Sequence, residues 1–152
     1  FTEAIAIAEQ TADPLQLAFL YGHLGGLYAD QGHPQARSTL VHGLALSRAG
    51  HSLFGQALAL HALGRLDLAA ADTDRAVARL SEAAALYRRC EHRYAEAKVL
   101  ATLAHALAVA GDPARADDVR EQAVRLLRRL GNHTEAESVA GASAAPPTRP
   151  RP

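Results

Sequence analysis

Apolar residues recur at helical spacing along nearly the whole chain, and short polar or glycine-bearing breaks interrupt them at regular intervals. The clearest stretch runs from Asp112 to Gly131, where Val119, Ala123, Leu126, Leu127 and Leu130 fall on one stripe. Asp117 and Asp118 lie near its start and Arg125, Arg128 and Arg129 near its end, the order that the helix macrodipole favours. Asp13-Pro14, His33-Pro34 and Asp112-Pro113 each set an N-cap before a proline at the first helical position. Gly32, Gly50, Gly111 and Gly131 stand where helices should stop. The pattern predicts a helix fragment over 2–11, six helices over 14–31, 34–49, 52–70, 73–89, 93–110 and 113–130, and a short segment over 133–140.

These elements repeat. With a shift of forty residues, Asp72-Thr73-Asp74-Arg75-Ala76 meets Asp112-Pro113-Ala114-Arg115-Ala116, Ala83 meets Ala123, and Arg88-Arg89 meets Arg128-Arg129. A second shift brings Ala36, Leu40, Gly43 and Leu46 onto Ala76, Leu80, Ala83 and Leu86. The other helix of each pair follows suit, with Leu24-Gly25, Leu63-Gly64 and Leu103-Ala104 in register. Gly64 alone looks like a helix stop. In the repeat frame it lies inside a helix, at a position that is small every time, where a paired helix should approach closely. Glycine there costs about 0.5–1 kcal/mol against alanine, so packing must supply the reason for it.

These residues resemble the tetratricopeptide repeat (TPR), whose pattern has Leu-Gly, an aromatic shortly after, and a small residue opening the second helix. Leu24-Gly25 with Tyr28 matches well; Leu63-Gly64 has Asp67 and Leu103-Ala104 has Leu107 at the aromatic position. Ala76 and Ala116 fill the small position. The repeats depart from the family in having no Trp, no Pro at the end of the repeat pattern and a longer period. The runs Ala57–Leu66, Arg93-Tyr94-Ala95-Glu96-Ala97 and Gly111–Ala116 look like the C-terminal TPR region of actinobacterial SARP-like transcriptional regulators. The resemblance implies an all-α, right-handed superhelical solenoid of antiparallel helix hairpins. The expected organisation is the end of a preceding repeat helix at 1–12, hairpins at 13–50, 51–90 and 91–131, a short helical segment at 132–140 and a disordered Pro/Arg tail at 141–152.

Composition narrows the function. Hydrophobic residues make up 49% of the 152, enough for a core, and aromatics only 5%, too few for a typical sheet core. Ala and Leu dominate, and both rank high as helix formers. Sixteen basic residues, of which Lys98 is the only lysine, balance sixteen acidic ones. That balance gives no electrostatic footprint for direct nucleic-acid binding. No apolar run is long enough to span a membrane. No signal peptide is visible, so a cytoplasmic origin is the default. The chain opens in mid-pattern at Phe1 without Met, as a piece of a longer protein would.

The resemblance implies a concave face lined by the first helix of each pair. By position its candidates include Phe19, Gly22, Gly26, Ala29 and Asp30, then Leu58, His61 and Arg65, then Lys98, Ala101 and His105. Asp30, His61, Arg65, Lys98 and His105 are the expected partner-binding residues, and the four basic side chains would form a mildly basic stretch suited to an acidic peptide segment. A solvated helix face is the plain alternative. The eight His include no pair at i,i+3 or i,i+4, so no metal site is expected. The acidic pairs Asp72/Asp74 and Asp117/Asp118 read as first-turn helix residues. Cys90 reads as a small filler at a hairpin corner. No catalytic constellation or cofactor is expected. The function implied is a protein–protein interaction module in the regulatory region of a bacterial transcriptional regulator. An intramolecular scaffold restraining an upstream NTPase module and a free-standing adaptor are the alternatives.

Overall fold

The computed structural model describes residues 14–142 and Ala6. Apart from Ala6, the expected helix end at 1–12 lies outside the described residues, as do the cap at Asp13 and the tail beyond Ala142. Among the described residues the chain is all-helical: α1 (Pro14–Asp30), α2 (Ala36–Ala49), α3 (Leu53–Ala69), α4 (Thr73–Arg89), α5 (Arg93–Val109), α6 (Pro113–Arg129) and α7 (His133–Gly141). Gly141 closes α7 rather than opening the tail.

One local device ends each of the six helices that lead into a turn. A residue of positive φ follows each helix at Gly32, His51, Ala71, Glu91, Gly111 and Gly131, nineteen or twenty residues apart. The next residue donates its N–H back to a carbonyl in the helix's last turn: His33 to Tyr28, Ser52 to Ser47, Asp72 to Asp67, His92 to Tyr87, Asp112 to Leu107 and Asn132 to Leu127, all at 2.8–3.0 Å. These are Schellman turns, which satisfy the carbonyls a helix end would otherwise leave unpaired. Gly50 is therefore not the left-handed residue of its turn. It is the C-cap of α2, with φ −86°, and His51 takes the positive φ.

The helix starts are less uniform. Asp72 and Asp112 cap α4 and α6 by accepting from the backbone N–H of Arg75 and Arg115, and Ser52 caps α3 through Gly55. His33-Pro34 departs from the expected cap-and-proline arrangement. Pro34 lies in the turn and α2 begins at Ala36, although the His33 ring accepts from the Gln35 N–H through Nδ1 at 3.2 Å, the kind of bond a cap makes.

α1 packs on α2, α3 on α4, and α5 on α6; α2 meets α3, α4 meets α5, and α6 meets α7. α1 also touches α3, and α3 touches α5. The middle helix α3 thus has neighbours on several sides. Its composition follows, since it is apolar almost all round, whereas α4 and α6 keep a full polar face. One core runs from Leu40 through Leu60, Leu63, Leu80 and Leu107 to Ala123. A smaller one, around Val124 and Leu127, lies under α7. Alanines fill much of the space between the leucines, and the small side chains let the helices approach. Gly64 is the clearest case: a Cβ there would lie 2.7 Å from Leu80 Cγ. Leu80 is fully buried on the facing helix, so the glycine inside α3 makes room for it.

Candidate partner-binding groove

α1 and α3 lie side by side, and a cleft of about 330 Å³ opens between them. Gly22, Gly26 and Asp30 line it from α1, at four-residue spacing, so one face of the helix forms the wall. Leu58, His61 and Arg65 line it from α3. Nothing stands within 4 Å of where a Cβ of Gly26 would be, so glycine leaves the cleft open at that point.

The polar side chains are partly satisfied by one another. The Arg65 guanidinium donates to the Asp30 carboxylate, joining the two helices through a pair that is about half exposed on both sides. His61 Nε2 lies 3.2 Å from Thr102 Oγ1 on α5. Burial holds the His61 pKa down to about 4, and the positive charges of Arg65 and Lys98 push the same way. His61 is therefore neutral at physiological pH and serves as a hydrogen-bonding group rather than a cation. Lys98 Nζ donates to Glu135 Oε1 at 2.9 Å, from α5 to α7. That bond raises the Lys98 pKa and lowers that of Glu135.

The structure thus brings Asp30, His61 and Arg65 into one cleft, with Lys98 close enough for its charge to act on His61. His105 is exposed on α5, and no described bond ties it to the others. The basic stretch expected from the sequence is instead charge-balanced. Each of its two permanent cations has a carboxylate, and His61 carries no charge.

Sequence reasoning missed several groups. His23 lines the same cleft, its Nε2 is buried without a hydrogen-bond partner, and burial lowers its pKa. Its ring meets Phe19 edge-on, with centroids 4.2 Å apart. Elsewhere Asp67, 1% exposed, accepts from Arg37 of α2 at 2.7 Å and from Arg79 of α4 at 2.5 Å. The signal for it was the repeat frame itself, where Asp67 stands in for an aromatic. Glu96, 3% exposed, likewise accepts from Arg88 and Arg93. Asp117 and Asp118 are not first-turn residues of α6; they sit a turn further on, where Asp117 pairs with Arg120. Cys90 is the C-cap of α4, its thiol 3.5 Å from the Tyr87 carbonyl oxygen.

Among the described residues no three His, Cys, Asp or Glu gather as a metal site, and no helix is long and apolar enough to cross a membrane. Comparison with models of known protein families finds no match to the chain, and comparison with curated proteins finds none either.

Proposed function

We propose that the chain is a TPR-like superhelical solenoid that binds a protein or peptide segment along the face built from α1, α3 and α5. The observation that carries this reading is the cleft between α1 and α3, which Gly26 leaves open and where Asp30, His61 and Arg65 offer donors and acceptors side by side. Six turns of one kind, spaced by half the sequence repeat, support the stacking of like hairpins. An acidic peptide would exchange its carboxylates for Asp30 or Glu135, since exposed ion pairs of this kind contribute only about 0–1 kcal/mol and open readily. The His23 and His61 rings would meet the same segment from the two walls of the cleft. By its resemblance to the C-terminal region of SARP-like regulators, the segment captured would belong to a partner that controls transcription, or to another module of the same protein.

Panning a random peptide library against the chain tests the groove. Selected peptides should lose most of their affinity for Arg65→Ala/Lys98→Ala while that variant keeps its helical circular dichroism. Peptides that bind the double variant as well as the parent would overturn the reading.

A further inference from the structure

A second cleft, of about 440 Å³, lies where the end of α4 and the start of α5 meet the last turns of α6. Arg88, Arg93, Arg125 and Arg129 line it, against the single acid Glu96. Leu100, Leu126 and Leu130 supply an apolar wall, with Leu130 43% exposed. It is not part of the groove described above. Glu96 and Leu100 lie two residues either side of Lys98, about 200° away round α5.

Three of the four guanidiniums are held by carboxylates, and none is used up. Glu96 accepts one bond from Arg88 Nε at 2.7 Å and one from Arg93 Nη1 at 3.0 Å, and this buried carboxylate fixes both arginines at the rim. Arg125 donates to Glu121 at 2.6 Å. Arg129 has no hydrogen bond or ion pair among the described residues. Each guanidinium offers about five N–H donors, so most of the donors remain available. The lining leaves an excess of positive charge that a single carboxylate does not neutralise, whereas a phosphate monoester, with a charge of about −1.5 to −2, comes closer. Its oxygens also suit the planar guanidinium fork. The volume lies in the range of small-molecule sites, roughly 300–1,000 Å³. The chain's own segment 143–152 has the wrong charge to fill the cleft, since it carries Arg149 and Arg151 and no acidic side chain.

We infer that this arginine-rimmed cleft between α4, α5 and α6 binds a small organic phosphate monoester whose apolar body rests on Leu100, Leu126 and Leu130. The inference concerns a different face from the peptide groove and stands or falls separately from it.

The test is an NMR titration of the isotope-labelled chain with phenyl phosphate at low salt. Saturable shifts should appear at Leu100 and along 122–130. Inorganic phosphate, which lacks the ring, and benzoate, which lacks the second charge, should bind at least about tenfold more weakly. Arg129→Ala removes no internal bond and should weaken phenyl phosphate by about tenfold or more with an unchanged melting temperature. Arg115→Ala, an exposed arginine outside the cleft, should leave binding unaltered. Absence of saturable shifts, equal affinity for benzoate, equal loss in the two variants, or no loss in Arg129→Ala overturns the inference. A phosphotyrosine peptide that binds more tightly than phenyl phosphate overturns the small-molecule assignment.

Discussion

Replacing Asp67 separates two accounts of what the buried carboxylate contributes. Its oxygens each accept one charge-assisted bond, from Arg37 at 2.7 Å and from Arg79 at 2.5 Å, so that α2, α3 and α4 are joined at one point. Asp67→Ala removes both bonds. At about 1.5 kcal/mol each, the low end for bonds to charged groups, the loss is about 3 kcal/mol. No further penalty for stranded charge is added, because the Arg37 and Arg79 side chains are 44% and 25% exposed and can turn to water. Asp67→Leu keeps the branched, four-atom shape of the side chain and matches Leu107 and Leu127, which occupy the same place in later turns. It loses the same two bonds and regains about 1.5–3 kcal/mol of apolar burial. The leucine variant should therefore lie within about 1.5 kcal/mol of the parent, as replacements of buried ion pairs by matched apolar groups often do. Urea unfolding followed by circular dichroism, with unchanged m-values, measures both. A double-mutant cycle of Asp67→Ala with Arg79→Ala should return a coupling of about 1.5 kcal/mol. A cost below about 1 kcal/mol for Asp67→Ala would place the carboxylate with solvent-screened surface pairs and refute the argument. So would a leucine variant as unstable as the alanine one.

Three further outcomes are expected. Gly64→Ala should lower the melting temperature, since overpacking against Leu80 (about 1–3 kcal/mol) exceeds the gain in helix propensity of about 1 kcal/mol; Gly26→Ala, with open space at its Cβ, should raise it. Ala71→Gly should stabilise the chain by about 1 kcal/mol in chemical unfolding because Ala71 holds φ +60°, while Gly111→Ala, at φ +85°, should destabilise it by a similar amount. The His61 pKa of about 4 lies below its ordinary 6.5, so the unfolded chain binds the extra proton first. The stability this histidine contributes is complete above pH 6.5 and is lost as the pH falls towards 4. Unfolding curves across that window should show a smaller fall for His61→Gln than for the parent, and identical profiles would contradict the burial of the ring.

Sequence alone determined the helices and their rhythm. Stripes at three- and four-residue spacing, the cap at Asp112, and turns every twenty residues all depend on groups close along the chain, and close groups leave a readable pattern; Asp72, read as a first-turn residue, proved to be the N-cap of α4. The small interior position at Gly64 was legible for a related reason: the repeat compares one environment with itself. Even locally the reading had a limit, because His51, Ala71 and Glu91 adopt the left-handed turn without being glycine, held there by the Schellman bonds that follow them. What only the tertiary structure decided is the polar chemistry. The contacts Arg37–Asp67, Arg65–Asp30, Lys98–Glu135 and His61–Thr102 join residues 30 to 41 apart, and no local spacing marks them. Packing of one hairpin on the next set how far His61 is buried and which carboxylate each cation meets. Charge state and hydrogen-bond availability at the groove depend on desolvation and on neighbours from other helices, and those exist only once the helices are packed.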